Sequence, residues 1–279
     1  MTDSRISDPA TLLRAYDAQL REELSSALTT PRLGPLVLAA YLGGRGFITY
    51  KDLDIDGRPA DEESVRQLVE QALAHYEAMP EIVRVEWKTR GHDRAPGLHD
   101  ALLAHGFVPD EAESVMIGEA RLLAVDVDLP AGVVVRQVTD EDDARRMMAM
   151  QAEVFGDDPQ RAEEIAQQVL HRLRTRDDME LWVAEADGEV VSAGRLEPVE
   201  GTEFAGIWGG ATRPQWRGRG IYRALTAARA RSAIAHGKRY INSDSTEFSR
   251  PILERSGLVK VTTTTPYEWS RPAPAAASL

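Results

Sequence analysis

The chain has 279 residues and a formal net charge of −12, with 45 acidic against 33 basic residues. This acidic balance argues against general binding to nucleic acids or anionic membranes, which needs a broad basic surface. The absence of cysteine excludes disulfides, thiolate metal sites and a cysteine nucleophile. The length fits one large domain or two modest ones.

The first ten residues are polar, and no apolar run approaches the roughly 18 residues that a bilayer span requires. We therefore expect a soluble, cytoplasmic protein without membrane or nucleic-acid partners. The six histidines form no convincing metal-ligand spacing with carboxylates, so no metal is predicted. A homodimer is one of the oligomeric states left open.

The N-terminal half alternates helical and strand patterns. Apolar residues recur at helical spacing over 10–28 and 63–79, and Pro80 ends the second run. Strand-like segments lie between and after these helices, with one short helix near residue 100. The segment Pro130-Ala131-Gly132 is the best linker signal in the chain. It predicts domains at 1–128 and 129–272, followed by a disordered tail at 273–279.

The C-terminal half begins with a strand and two helices, at about 140–155 and 159–174. Asp187-Gly188 then predicts a hairpin, because both turn positions tolerate positive φ. A strand ending at Thr212, a helix from Ile221 closed by Gly237, and a strand, short helix and strand follow. Late in each half a short helix, a glycine and an extended strand recur, which indicates an internal duplication.

Two glycines and three arginines lie around the junction between the predicted strand that ends at Thr212 and the predicted helix that begins at Ile221. Gly218 and Gly220 lie among Arg217, Arg219 and Arg223. A helix N-terminus presents free backbone N–H groups and partial positive charge, and glycines let an anion come close. Three cations at a positive helix end are unfavourable unless an anion offsets them. The corresponding junction of the first half, "DIDGRPADE", is acidic and offers no such cradle.

Spacing separates the known phosphate-binding motifs. A Walker A loop needs Gly-x-x-x-x-Gly-Lys followed by Ser or Thr, and this string is absent. The dinucleotide motif needs a glycine where Arg223 stands. Arg229 and Arg231, further along the helix, are expected to lie on its solvated surface.

The pattern Gln215-x-x-Gly218-x-Gly220 between a strand and a helix resembles the pyrophosphate loop of the GNAT superfamily of acyl-CoA-dependent N-acetyltransferases. The order of elements over about 133–269 is also similar to that of the superfamily. The whole chain resembles a tandem member whose N-terminal lobe is degenerate. The resemblance implies an α/β (α+β) fold with two GNAT-like lobes, each a mixed central sheet flanked by helices.

The resemblance also implies acetyl-CoA as co-substrate. Its pantetheine arm would pair with the strand end, and its pyrophosphate would lie in the loop from Arg217 to Tyr222. We call residues 215–220 the glycine loop. The implied cofactor-binding residues are Gly210, Ala211, Thr212, Gln215, Arg217, Gly218, Arg219, Gly220, Ile221, Tyr222 and Ser249. Tyr222 departs from the small residue of many members. Leu253 stands where members usually carry a tyrosine that protonates the leaving thiolate.

Acetyl transfer to an amine requires the neutral amine. The pKa of a lysine-like amine lies roughly 3.4 units above pH 7, so its deprotonation costs about 4.6 kcal/mol. Glu203 is the first candidate for the base, although a solvent-facing glutamate at a strand end is an alternative. Asp244 is the second candidate. Tyr267 is the nearest substitute for the missing acid. The alternative interpretation of Tyr267 is a tyrosine of the hydrophobic core.

Two classes of function follow. The first is an N-acetyltransferase that moves an acetyl group from acetyl-CoA to an amine by direct transfer in a ternary complex. The second is a catalytically impaired regulatory module that binds acyl-CoA. The acceptor stays open among small-molecule and peptide amines.

Overall fold

The computed structural model describes residues 7–175 and 178–272. The helices are α1 (Pro9–Gln19), α2 (Glu62–Glu77), α3 (Leu98–Ala104), α4 (Ala120–Leu123), α5 (Glu141–Phe155), α6 (Pro159–Thr175), α7 (Ile221–Ala235) and α8 (Arg250–Arg255). The strands are β1 (Arg32–Leu33), β2 (Leu36–Tyr41), β3 (Arg45–Tyr50), β4 (Arg84–Arg90), β5 (Val108–Pro109), β6 (Glu113–Glu119), β7 (Val133–Gln137), β8 (Glu180–Ala186), β9 (Glu189–Pro198), β10 (Phe204–Thr212), β11 (Tyr240–Ser245) and β12 (Val259–Ser270). Within these ranges no helix is long and apolar enough to cross a bilayer.

The described residues form two compact units. The first contains the described residues up to Gln19 together with Ser114–Val261. Its strands lie in the order β6, β11, β10, β9, β8, β7, in which β10 and β11 run parallel and the other pairs antiparallel. The mixed sheet flanked by helices agrees with the predicted fold class.

Apolar side chains cover both faces of this sheet. One face packs against α5 and α6 through a cluster that includes Met147, Met148, Val169, Leu170, Leu181, Val183 and Ala193. The other packs against α4, α7 and α8 through Met116, Ala120, Leu196, Ala205, Ile207, Ala230, Ala233, Ile241 and Leu253. These alternating sets agree with the two-residue period of strands.

Helix α5 begins where the acidic signal predicts. Asp140 is its N-cap, and the side chain accepts from the backbone N–H of Asp143 at 2.8 Å. The buried Asp143 carboxylate receives both terminal nitrogens of Arg136, at 2.5 and 2.9 Å, and Arg146 at 2.7 Å. Hydrogen bonding from Arg136 holds the pKa of Asp143 below its usual range.

The substitution Asp143→Asn is expected to destabilise the protein by about 1.5–3 kcal/mol at neutral pH, because it removes hydrogen bonds to a charged group. A carboxyl whose folded pKa is lowered contributes stability above its unfolded pKa of about 3.9, and this contribution is lost as the pH falls through the folded pKa. In urea unfolding, the difference in the free energy of unfolding between the wild type and Asp143→Asn should therefore narrow below about pH 4. A constant difference down to pH 2 would contradict this role.

The second unit contains Leu20–Glu113 and the described residues from Thr262 onward. Its strands lie in the order β1, β2, β3, β4, β12, and β5 also pairs with β12. Helices α2 and α3 contribute to a core that contains Trp87 and Tyr76. The Tyr76 hydroxyl donates to the carbonyl oxygens of Ala39 and Phe47, at 2.9 and 3.1 Å, which anchors α2 on the sheet.

The compact units are not contiguous in sequence, unlike the domains predicted at 1–128 and 129–272. Strand β6 pairs with β11 in the first unit, and β12 pairs with β4 in the second. These are the strands that end the two similar segments of the sequence, so each half of the chain supplies its last strand to the unit built mainly from the other half. The tail predicted at 273–279 lies outside the described residues.

Candidate functional site

The parallel strands β10 and β11 separate partway along their length. They pair only over Phe204–Gly206 and Tyr240–Asn242, although β10 continues to Thr212 and β11 to Ser245. Beyond this ladder, the Ser243 hydroxyl donates to the carbonyl of Ile207 at 3.0 Å. The later residues of β10 are therefore open on the side of β11.

A bulge shapes the open part of β10. Its register with β9 shifts between Trp208 and Ala211, and Gly209 adopts φ +61°. The side-chain amide of Gln151 donates to the carbonyl of Gly209. Gly210 is exposed, and a Cβ built on it would lie 2.7 Å from the ring of Tyr222. Glycine thus lets this ring lie against the strand.

The glycine loop follows as a 3₁₀ turn, Pro214–Trp216, and an extended Arg217. Gly218 and Gly220 have φ of +74° and +80°, a region that favours glycine. A Cβ on Gly218 would meet nothing within 4 Å, and one on Gly220 would make only ordinary contacts. The backbone conformation, rather than packing within the protein, therefore calls for glycine at both positions.

The start of α7 is left without a cap. Gly220 is the N-cap residue and supplies no side chain, and the first turn contains no acidic residue. Ala224 is the first residue whose N–H has an acceptor, the carbonyl of Gly220 at 2.9 Å. Within the described parts of the chain, the amides of 218–223 have no hydrogen-bond partner. These amides can bind an anion.

The arginines around this helix start are not neutralised. Arg217 donates through Nε to the carbonyl of Thr212 at 3.0 Å, and the guanidinium of Arg219 lies 5.0 Å from the ring centre of Trp216. Arg223 is exposed. None of the three arginines forms an ion pair with a described residue. The uncapped amides and the three cations together form a site suited to a phosphate group.

The other predicted cofactor residues differ in what they expose. Gln215 lies exposed in the 3₁₀ turn. The side chain of Ile221 is buried in an apolar cluster, so only its backbone amide can face a ligand. Ala211 and Thr212 accept hydrogen bonds on their carbonyls from Ser192 and Arg217. Ser249 precedes α8, and its hydroxyl donates to the carbonyl of Thr246 at 3.3 Å.

The two candidate bases lie at different ends of the open strands. Glu203 immediately precedes β10 and is 48% exposed. Its backbone N–H and its carboxylate are both bonded to the side-chain amide of Gln19, at 2.8 and 3.1 Å. Seven residues of strand, roughly 23 Å, separate Glu203 from Gly210. Asp244 instead lies on β11 beyond its last pairing with β10, alongside the opening.

The candidate acid Tyr267 and the leucine at the position of the usual tyrosine are both in apolar surroundings. Leu253, at the position of the family's usual tyrosine, is a buried member of the core under α7. Tyr267 belongs to the core of the second compact unit, where its hydroxyl lies 2.8 Å from Nδ1 of His99. Burial raises the pKa of Tyr267.

The expectation that Arg229 is solvated is wrong. Its side chain is fully buried, and burial lowers its pKa. It donates to the carbonyls of Leu225 and Arg195, at 3.3 and 3.2 Å, and a Cβ on Gly194 would lie 2.5 Å from its guanidinium. The glycine inside strand β9 was the available signal for this close approach. The neighbouring Arg231 is half-exposed and pairs with Asp126, as expected for surface.

Over the described ranges, no group of three or more histidine, aspartate or glutamate side chains could hold a metal ion. The site consists of backbone amides, arginines and the open edge of a strand.

The comparisons with known proteins agree with this geometry. Residues 119–243 match the family model described as "Acetyltransferase (GNAT) domain". No curated protein matches the chain.

Among solved structures, the chain is similar to a conserved protein of unknown function from Staphylococcus epidermidis, with TM-score 0.68, 12% identity, and 92% of this chain and 98% of that one covered. A GCN5-related N-acetyltransferase from Kribbella flavida gives TM-score 0.63 at 17% identity, with 96% of both chains covered. A tandem GNAT protein from the clavulanic acid biosynthesis pathway gives TM-score 0.60 at 14% identity, with 87% of this chain and 80% of that one covered. These similarities show a shared fold, and residues 119–243 resemble the GNAT acetyltransferase domain.

Proposed function

We propose that this protein is an N-acetyltransferase that moves an acetyl group from acetyl-CoA to an amine by direct transfer in a ternary complex. The observation that carries the proposal is the start of α7, where uncapped amides and three unpaired arginines adjoin the open edge of β10. A small-molecule or peptide amine as acceptor and a cytoplasmic location belong to the same proposal.

The residues present suit the donor. The amides of 218–223 and the cations Arg217, Arg219 and Arg223 would hold the pyrophosphate of acetyl-CoA. The exposed backbone of Gly210 would face the pantetheine arm. Acetyl-CoA supplies the activated thioester, and the protein's part is to position it and to provide a neutral amine.

Asp244 is better placed than Glu203 to accept the proton of the amine. It lies on the part of β11 that has separated from β10, whereas Glu203 lies at the other end of β10. We therefore propose Asp244 as the base, acting directly or through water, with Glu203 in second place.

The leaving group needs little help. A thiol of this kind has a pKa near 8.5, so its thiolate can take a proton from water near neutral pH. The buried Leu253 therefore does not prevent turnover. Tyr267 stays a candidate acid without direct support.

The replacement of the usual tyrosine by Leu253 also motivates the second candidate function, a regulatory module that binds acyl-CoA without transferring the acetyl group. Both functions need the glycine loop. They differ in the release of free CoA thiol when amines are added.

Acetyl-CoA is expected to raise the melting temperature of the protein, because it binds the folded state alone. At a concentration 100 times Kd, the stabilisation would be about 2.7 kcal/mol. Thermal unfolding with acetyl-CoA, ATP and NAD measures this shift. Neither nucleotide should match it, because the loop has the spacing of neither nucleotide motif. An equal shift with ATP would contradict a CoA-specific site.

Calorimetry with acetyl-CoA should also give one site per chain, since the acidic junction "DIDGRPADE" offers no cradle in the first half. Two equivalent sites would overturn the asymmetry between the halves.

A further inference from the structure

A charged cluster lies on the sheet face that carries α5 and α6 in the first compact unit. It consists of Arg172 from α6 with Arg195 and Glu197 from β9, whose side chains are 24%, 19% and 10% exposed. Glu197 accepts from Nε of Arg195 at 3.2 Å and also from Arg172. These three side chains carry a net charge of +1 in a largely buried position, and a bound anion would offset this charge.

Strand register places the cluster beside the bulge of β10. Arg195 pairs with Trp208, and Glu197 pairs with Gly206, so these side chains share one face. A Cβ built on Gly209 would lie 3.2 Å from the Nη1 atom of Arg195. The guanidinium therefore lies against the bulge, next to the exposed Gly210 that is proposed to face the pantetheine arm.

The cluster has hydrogen-bonding capacity that the protein leaves unused. Nη1 and Nη2 of Arg195 have no partner among the residues that the structure describes, and Nε of Arg172 is buried without one. The buried Nε of Arg172 costs free energy while it is unmet, and the two Nη atoms of Arg195 are available to a ligand.

A second unmet group lies on the same face. Gly206 pairs with Asn242 of β11, which is 6% exposed, and the Oδ1 atom of Asn242 is buried without a hydrogen-bond partner. The indole of Trp208 lies between Asn242 and the cluster, over Gly206. Arg195 and Asn242 stand on strands two apart and two residues out of register, roughly 12 Å between Cα atoms. The indole therefore separates the two groups, and it is Arg195 that lies against the bulge.

We propose that the acceptor is a small amine that carries a carboxylate, in the manner of an amino acid, and that Arg195 binds this carboxylate. The proposal rests on the proposed acetyl transfer. A carboxylate matches the planar fork of the guanidinium, and its single charge matches the net charge of the three side chains.

The transfer step balances without a further reactant. The neutral amine nitrogen forms a bond to the acetyl carbon, and the C–S bond breaks with its electron pair on sulfur. The nitrogen loses one proton, and the thiolate takes one up.

The test compares amino acids with their carboxamides as acceptors, at saturating acetyl-CoA, by release of free CoA thiol. The wild-type protein should prefer at least one amino acid over its carboxamide by tenfold or more in kcat/KM. Arg195→Gln should lower kcat/KM for the acid at least tenfold and change that for the carboxamide less than twofold. Arg174→Gln is the control, since this exposed arginine lies on α6, outside the cluster, and pairs with Glu141. It should behave as wild type.

Arg195→Lys keeps the charge but not the fork, and it should retain part of the preference. Should Arg195→Gln fail to fold, Arg195→Lys carries the test. Equal rates with acids and carboxamides, or faster rates with an aminoalkyl phosphate, would overturn the proposal while acetyl transfer stands. Acetylation only of amines that lack a carboxylate would also overturn the proposal. Failure of acetyl-CoA to raise the melting temperature would instead overturn the proposed function itself.

Discussion

Replacing Gly220 by valine is expected to weaken acetyl-CoA binding by more than tenfold. Gly220 has φ +80° and is the N-cap of α7. A β-branched side chain disfavours this conformation and would stand beside the amides that bind the anion. Isothermal titration calorimetry measures the loss of acetyl-CoA affinity, and urea unfolding measures the stability of the same variant.

Gly237 provides the matched control. It has φ +73° just after the other end of α7, and a Cβ there would meet nothing within 4 Å. Gly237→Val should therefore cost comparable stability, about 1–3 kcal/mol, while acetyl-CoA affinity stays within twofold. A folded Gly220→Val variant that binds acetyl-CoA within twofold of wild type would show that the glycine loop does not bind the cofactor.

The substitution Gly206→Ala is expected to destabilise the protein by about 1–3 kcal/mol through overpacking. A Cβ on Gly206 would lie 2.3 Å from Nε1 and 2.7 Å from Cε2 of Trp208, so the indole must leave its position. Because Gly206 has no positive φ, the effect comes from this contact alone. Urea unfolding measures the loss, and the emission of Trp208 should change with its surroundings.

A double-mutant cycle with Trp208→Ala isolates this contact. In the Trp208→Ala background, Gly206→Ala should change stability by less than about 0.5 kcal/mol, because the obstructing ring is gone. If Gly206→Ala lowered stability as much in the Trp208→Ala variant as in the wild type, something other than the indole would constrain Gly206.

The elements around the glycine loop could be predicted from the sequence because their signals are local. Asp140 caps α5, Asp187 and Gly188 turn the hairpin, and Gly218 and Gly220 adopt the positive φ that their position implies. Each of these depends on backbone conformation within a few residues.

Longer-range features were not accessible in the same way. Nothing near β6 or β12 in sequence specifies their strand partners, which are set by pairing with distant residues. The first helix ends at Gln19 although apolar spacing continues to Leu28, because the residues from Leu20 belong to the other compact unit.

Charged side chains were the hardest to place. Arg229 follows the pattern of a surface helix, yet the missing side chain of Gly194 gives it room to enter the interior. Arg195 and Asn242 were not singled out, since the sequence shows neither their burial nor their shared face. Only the register of β9, β10 and β11 brings them to one face of the sheet, on either side of the Trp208 indole.

Acetyl-CoA bound at the start of α7 is expected to acetylate amines, and steady release of free CoA thiol measures this transfer. The protein would be incubated with acetyl-CoA and a panel of amines and amino acids, with the acetylated product identified by mass. We expect thiol release that depends on an amine, forms the N-acetyl product in equal amount, and is lost in Gly220→Val but kept in Gly237→Val. Tight binding of acetyl-CoA without amine-dependent thiol release across the panel would contradict this expectation and identify the protein as an acyl-CoA-binding module.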